Sequence, residues 1–515
     1  MAASRDAQWA QLLALPEQPG LPLQGRMRQA VVQAILDGRL WPGARLPSSR
    51  ALADALGLSR NTVTSALQQL CDEHYLEARP RSGLFVLAHN RPDVAQQADP
   101  PQGAAAAAPD WRTRVLRSQR QRPTLRKPLD WNAYPYPFVY GRHDPQLFPT
   151  EDFRECCMRS LARSRLPHWT PDLETGDVPE LLEQIRTRLL PRRGVFALDS
   201  EILITLGAQQ AYYLLSETLF SEYTRVGLED PGHPHARNSF ALRNPRFAEV
   251  RVDGDGVMID DIPALEYLFV TPSHQSPTTV TLSLQRRQQL LQRAQQRDFV
   301  VIEDDYEAEN LYDGRPMPAL KSLDRSGRVI YVGSISKSLS PALRLGYVVA
   351  PRELIEEMRP IRHAMLRHPS TFLQHTFALF LSMGHHESHT RRVNQVMRER
   401  VEVVCHALRA ELPQCHFHPP QGGASVWVQT PEGVDGAALA RQARAHGVLI
   451  EPGDVFFGRP PEPCGYFRLR LSSIDTAAIA PGIAALARAM QELTRTRAAA
   501  GSATHADDPW IADPR

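Results

Sequence analysis

The chain lacks paired cysteines at metal-binding or redox spacing, lacks a long apolar run, and carries almost no net charge. Its six cysteines are Cys71, Cys156, Cys157, Cys405, Cys415 and Cys464, and none belongs to a Cys-x-x-Cys pair. That spacing excludes a disulfide scaffold and a structural zinc site, and it fits a reducing compartment. Cys156-Cys157 reads as part of a half-buried helix, and no metal site is expected. No uninterrupted apolar stretch reaches bilayer length. The opening residues Met1-Ala2-Ala3-Ser4-Arg5-Asp6 lack the basic-then-apolar pattern of a secretory signal. The expectation is a soluble, cytoplasmic protein without a membrane partner. A net charge of +2 is too small to mark the whole chain as a nucleic-acid binder. Any such contact must come from local charge. What is present is ordinary apolar content, 42%, and a length of 515 residues, enough for more than one core.

Composition divides the chain. Residues 1–20 read as an N-terminal extension and 21–89 as a compact domain. Residues 90–128 read as a flexible basic linker holding Pro100-Pro101, an alanine run and Arg112, Arg114, Arg117, Arg120, Arg122, Arg126 and Lys127. With few large apolar side chains it cannot build a core. A short helix is expected around 111–119. The charge serves either a plain solvated tether or a DNA-backbone contact. From 129 to 493 short apolar runs alternate with helical stretches. Runs at 202–206, 226–228, 268–270, 299–302, 329–332 and 347–349 read as buried strands, and 283–296 and 352–366 as helices. Such alternation implies a largely parallel sheet covered on both faces. Residues 494–515 read as a disordered tail.

The first compact segment is a helical reader with a hairpin. Residues 24–36 carry apolar positions at helical spacing and stop at Asp37-Gly38. Ser48 can cap a second helix and Ser59 a third. On the third, Val63, Ala66, Leu67 and Leu70 share one face, while Arg60, Asn61, Thr62, Ser65 and Gln68 share the other. Short polar and basic side chains of that kind suit phosphates and base edges in a major groove. Residues 75–79 and 84–87 pair as a hairpin with Arg81-Ser82-Gly83 at its tip. The segment resembles the GntR-type winged helix-turn-helix. The resemblance is carried by Gly38-Arg39-Leu40-Trp41-Pro42-Gly43-Ala44-Arg45-Leu46-Pro47-Ser48-Ser49-Arg50 and Leu58-Ser59-Arg60-Asn61-Thr62-Val63. It implies that Arg50, Ser59, Arg60, Asn61, Thr62 and the wing residues Arg81, Ser82 and Gly83 touch double-stranded operator DNA. One departure is His74, where that family usually has glycine. A left-handed turn costs more for histidine, so a different turn is expected there.

The second segment offers the parts of a pyridoxal phosphate (PLP) site. Such a site needs a lysine amine, a carboxylate for the pyridine nitrogen, a donor beside the ring hydroxyl, and cations and amides for the phosphate. Gly207-Ala208-Gln209 follows a strand and opens a helix, so its amides can cradle phosphate. Asp304 and Tyr306 follow the strand 299–302, and ligands bind at strand carboxyl ends in such sheets. Ser334, Ser336 and Arg344 flank Lys337 with hydroxyls and a forked cation. Residues 129–493 resemble the fold-type I aminotransferases, and the whole chain resembles the MocR/GabR subfamily of GntR regulators. Further carriers are Leu147-Phe148-Pro149, Glu229-Asp230-Pro231-Gly232, Thr271-Pro272-Ser273-His274-Gln275 and Glu303-Asp304-Asp305-Tyr306.

The resemblance implies an α/β fold with large and small aminotransferase-like domains, preceded by a small α+β winged helix-turn-helix domain. It also implies roles. Lys337 is the Schiff-base lysine and Asp304 the pyridine-nitrogen partner; Tyr306 approaches the ring hydroxyl. Ala208, Gln209, Ser334, Ser336 and Arg344 hold the phosphate. Arg468 takes a ligand carboxylate, with a sheet-edge ion pair as its plainer reading and Arg470 as a competitor. Three departures lie on the ligand side. His233 replaces the usual tyrosine and either stacks or hydrogen-bonds at the site, or is a simple loop residue. Thr279 replaces a glycine, and Asp172-Leu173-Glu174-Thr175-Gly176 lacks a usual tyrosine. The expected function is a PLP-dependent transcriptional regulator that senses an amine, an amino acid or PLP itself, built as a head-to-tail homodimer. The competing expectation is a working aminotransferase that carries a DNA-binding domain.

Overall fold

The computed structural model describes residues 9–10, 12–16, 20–87, 111–115, 122–140, 144–173, 176–307, 309–312, 317–335 and 339–500, without the side chains of 112, 113 and 496–500. Lys337 and Ser336 lie outside the described residues, as do Glu174, Thr175 and the tail from 501. The chain forms two compact units, 1–118 and 119–515.

In the first unit, helices Leu23–Leu36, Ser49–Leu56 and Arg60–Asp72 precede strands Leu76–Arg79 and Gly83–Val86. The caps form as their side chains dictate. Ser48 Oγ accepts from the Ala51 amide at 3.2 Å and Ser59 Oγ from the Thr62 amide at 3.1 Å, each satisfying a helix-start donor. The apolar face of Arg60–Asp72 is buried with Met27, Val31, Leu52, Leu76 and Val86. Leu13, in the stretch expected to be a bare extension, is fully buried in this core. The hairpin pairs Leu76 with Val86 and Arg79 with Gly83. His74 adopts φ 60°. The left-handed turn is kept, against the expectation of a different one, and histidine carries its cost.

The second unit holds an eight-stranded sheet in the order Ile202–Thr205, Gly346–Val349, Val329–Ser334, Val300–Asp304, Tyr267–Val270, Arg225–Asp230, Arg246–Asp253, Gly256–Val257. All six expected strands are present. Val329–Ser334 through Arg246–Asp253 run parallel, whereas Gly346–Val349 is antiparallel to both its neighbours. The period-2 alternation of strands distributes their apolar residues between two cores. Ile202, Ile204, Tyr331 and Tyr347 pack toward helices Pro179–Gln184 and Thr371–Ser382. Leu203, Ile302, Val332 and Val348 pack toward Ala208–Leu219 and Arg352–Leu366. Buried on both faces, these strands need no polar side.

A second sheet orders His416–Phe417, Ser425–Gln429, Tyr466–Arg470 and Glu451–Pro452, all antiparallel. Helices His385–Glu411, Gly436–Ala445 and Thr476–Ala500 contribute to its core. The last helix runs to Ala500, past the boundary expected at Leu493, so the chain stays regular into the stretch read as tail. The expected linker also differs. Its described helix is only Trp111–Arg114. From Arg122 onward it is bonded to the second unit rather than free: Arg122 donates to the carbonyls of Asn238 at 3.3 Å and Ala241 at 2.9 Å.

Candidate functional site

The pocket forms where strand ends converge. Ile202–Thr205 ends two residues before Gly207, which takes φ 71° and turns the chain into helix Ala208–Leu219. A side chain at Gly207 would be strained, and its Cβ would sit 3.5 Å from the Arg344 guanidinium carbon. Arg344 Nη2 donates to the Leu206 carbonyl at 2.7 Å, fixing the cation beside that helix start. Free amides, the positive helix end and a guanidinium together form an anion cradle. Ala208, Gln209 and Ser334 line the same cavity, whose volume is about 270 Å³. Gln209 is tied through its amide to Ser239 Oγ.

Asp304 ends the strand Val300–Asp304 and is 1% exposed. Its Oδ2 accepts from the Tyr212 hydroxyl. Burial first, then the Asp304 charge, raises the Tyr212 phenol well above its ordinary value, so it stays a donor. Tyr306, also buried, lines the cavity, and burial likewise holds its phenol protonated. Tyr212 was missed in the sequence reading. The signal was available, because position 212 follows 208 by four residues and shares its helix face.

His233 has a local job as well as a place in the pocket wall. Its Nδ1 accepts from the Ala236 amide at 3.2 Å and caps helix Pro234–Phe240. Its ring lies 6.0 Å from that of Tyr212 and 6.3 Å from that of Tyr306. Glu229 and Gln275, from two motifs far apart in sequence, meet just behind. Glu229 accepts from the Thr271 amide, the Thr271 hydroxyl and Gln275 Nε2. Burial outweighs those bonds and pushes its carboxyl up to about 7. Burial pushes the His274 imidazole down to about 4, so it is neutral at neutral pH.

Arg468 and Arg470 enter the cavity from the second sheet, two residues apart and therefore on one strand face. Arg468 Nε donates to Glu451 Oε2 at 2.7 Å, and its guanidinium lies 4.5 Å from the Phe456 ring centre. Arg470 Nη2 donates to Glu307 Oε1 at 2.8 Å and its guanidinium lies 5.7 Å from the Tyr140 ring. Arg468 is thus ion-paired, as its plainer reading has it, and it also lines the pocket. Arg470 lines it too. Tyr140, Phe456 and Leu125 also line the cavity. They belong to segments with no local pattern that points to a site.

Of the two remaining departures, Asp172 is ion-paired with Arg367 at 2.6 Å and its Oδ1 lies 3.0 Å from His368 Nε2, within hydrogen-bond distance. Thr279 is 5% exposed with φ 65°, an outlier for a β-branched residue. The turn that glycine would make is retained and threonine bears the strain. Thr279→Gly is expected to raise the unfolding free energy by about 0.5–1 kcal/mol, the left-handed cost less the flexibility glycine adds to the unfolded chain. Denaturant titration measures it. No rise would mean that the 2.6 Å bond from Thr279 Oγ1 to the Thr278 carbonyl offsets the strain.

In the first unit, Arg50, Ser59, Arg60, Asn61, Arg81, Ser82 and Gly83 are exposed and Thr62 is half-buried. Arg81 and Gly83 both take positive φ at the hairpin tip. Ser59 is occupied as a cap, and its hydroxyl also meets Thr62 Oγ1 at 2.8 Å. Arg60 and Asn61 are the more available of that group to a ligand.

Two family models match the chain: bacterial regulatory proteins of the gntR family over residues 23–86, and aminotransferase class I and II over 173–486. The HTH-type transcriptional regulator TauR of Rhodobacter capsulatus is 43% identical, with 91% of this chain and 96% of that protein covered. The probable rhizopine catabolism regulatory protein MocR of Rhizobium meliloti is 31% identical, covering 94% and 96%. The chain belongs to the MocR-type GntR regulators. Among solved structures, the α-aminoadipate aminotransferase LysN of Thermus thermophilus, complexed with N-(5'-phosphopyridoxyl)-L-leucine, aligns with a TM-score of 0.65 and 30% identity. That alignment covers 70% of this chain and 92% of LysN. The fold is the fold-type I aminotransferase fold behind a winged helix-turn-helix, and the cofactor of this MocR-type regulator is pyridoxal phosphate. The anion cradle at Gly207 and Arg344 and the buried Asp304 at a strand end fit that group. Among the described residues, no helix is long and apolar enough to cross a membrane.

Proposed function

We propose that this regulator binds operator DNA through its winged helix-turn-helix and changes its DNA affinity when a small amine or amino acid occupies the PLP pocket. The observation that carries the reading is one pocket lined by an anion cradle, by two arginines and by Tyr212, whose hydroxyl donates to the buried strand-end Asp304, in one chain with a GntR-type reader. Bound PLP supplies a carbonyl that reacts with primary amines. Lys337 anchors the cofactor. Asp304, oriented by Tyr212, holds the pyridine nitrogen protonated, and Tyr306 stays a donor beside the ring hydroxyl. Ala208, Gln209, Ser334, Ser336 and Arg344 hold the phosphate. Arg468 receives the ligand's acidic group; its Nε is kept by Glu451, which aims the remaining donors. Arg60, Asn61 and the wing at Arg81–Gly83 meet the DNA.

The second unit is proposed as the core of a head-to-tail homodimer, acting in the cytoplasm, where its thiols stay reduced. Two readers then address two half-sites whose spacing follows the dimer geometry. Ligand and DNA are linked thermodynamically: whatever factor the ligand imposes on DNA affinity, DNA imposes on ligand affinity. The test is a visible absorption titration with PLP, before and after borohydride, then with a panel of amino acids. A duplex selected from a random pool by the full-length protein reports DNA affinity in the same samples. The expected result is a reducible protein-bound band, and at least one amino acid that shifts both band and affinity. Steady turnover with a keto acid and no change in DNA affinity would instead make the protein a DNA-tethered aminotransferase.

A further inference from the structure

We infer that the segment 122–127, the last stretch before the aminotransferase-like unit, is a wall of the PLP pocket and the element through which occupancy of that pocket reaches the DNA reader. The inference rests on the cofactor reading above and adds its route of regulation. The segment is tied down at both ends, and each tie leads into the pocket. At one end Arg122 donates to the carbonyls of Asn238 and Ala241, and Asn238 Nδ2 donates back to the Pro123 carbonyl at 2.7 Å. These groups sit at and just past the C-terminal end of helix Pro234–Phe240, where a guanidinium also complements the helix dipole. The N-terminal end of the same helix is capped by His233, a pocket residue.

At the other end Lys127 Nζ donates to the Tyr140 carbonyl at 2.9 Å and lies 4.1 Å from the Trp131 ring. The Tyr140 amide donates to Glu451 Oε1 at 2.8 Å, and Glu451 Oε2 receives Arg468 Nε at 2.7 Å. Lys127, Tyr140, Glu451 and Arg468 thus form one continuous hydrogen-bonded chain, ending on the arginine that faces the ligand. Between the two ties, Leu125 lines the cavity itself.

A solvated tether has no reason to place a leucine there. Two independent routes, a capped helix and a carboxylate bridge, converge on six residues that continue covalently toward the reader. A ligand that recruits Arg468, or fills the space beside His233 and Leu125, therefore changes how firmly 122–127 is held. The anchor from which the chain continues toward the reader changes with it, and tether length sets how often two linked sites can be engaged together.

The experiment is hydrogen exchange by mass spectrometry on the full-length protein, with and without PLP, with occupancy read by visible absorbance. PLP is expected to slow exchange about tenfold in peptides spanning 122–130 and 233–241 together, because both close over the same cavity. In Arg122→Gln the slowing in 122–130 is expected to vanish while absorbance still reports bound PLP. Leu125→Ala is expected to weaken PLP retention about fivefold, by removing apolar surface from the wall. If PLP binds and protects 233–241 while 122–130 exchanges unchanged, the segment is a plain tether and the inference fails. If absorbance reports no bound PLP at all, the cofactor reading fails first and takes this inference with it.

Discussion

Lys337→Ala protein mixed with PLP shows only the spectrum of free PLP, and borohydride fixes nothing to it. The reason is chemical: of the groups assigned to the pocket, only a lysine amine can hold the cofactor covalently. The same variant separates sensing from reading. The reader is a compact unit with its own core of Met27, Val31, Leu52, Val63 and Leu70, so DNA binding without ligand survives. What is lost is the response. A coupling of about 1–3 kcal/mol gives a 5–150-fold ligand effect on DNA affinity, and in Lys337→Ala that factor falls to one. DNA titrations with and without PLP and the active amino acid measure it. A Lys337→Ala protein that still responds to PLP would mean that covalent capture is not the signal.

How much of this was legible in sequence follows from what sequence patterns encode. The strands Ile202–Thr205, Val329–Ser334 and their neighbours were readable because strands buried on both faces are written as unbroken apolar runs. Such runs do not encode direction, so the antiparallel strand Gly346–Val349 looked like its parallel neighbours. His416–Phe417 and Glu451–Pro452 are two residues long, too short for any period to register. The residues proposed as cofactor anchors stood out because they follow strand ends and helix starts within a few residues. The Glu451–Arg468 pair was not, since it depends on the register of two strands. Leu125 was hidden for a different reason: a lone leucine in a basic, proline-containing stretch has no local partner and gains one only through the tertiary fold. At His74 and Thr279 the substitutions were visible but their outcome was not. Both positions keep the left-handed backbone, which means the surrounding turns outweigh the cost to the residue.

The adjacent carboxylates Asp304 and Asp305 are expected to fail in different ways when truncated. Asp305 has no exposed side-chain surface, and Arg193, its partner, has 5%. Arg193 Nε and Nη2 grip both Asp305 oxygens at 2.8 and 3.2 Å, and the hydroxyls of Ser273 and Tyr331 donate to the same carboxylate. Burial opposes the charge on Asp305, but Arg193 and these donors outweigh it and hold the carboxyl below its ordinary range. Asp305→Ala would leave the Arg193 charge buried without its counter-ion, a loss of about 3–5 kcal/mol. Asp304→Ala takes the acceptor from the neutral Tyr212 hydroxyl, a loss of about 1–3 kcal/mol.

PLP separates the two further. A ligand that binds only the folded protein raises its stability by RT ln(1 + [L]/Kd), so the PLP-induced rise in denaturation midpoint is a measure of affinity. Asp305→Ala should start from a much lower midpoint and still gain from PLP. Asp304→Ala should start nearer the wild type and gain little, because the partner proposed for the pyridine nitrogen is gone. An Asp304→Ala protein with the full PLP-induced rise would remove Asp304 from the cofactor site.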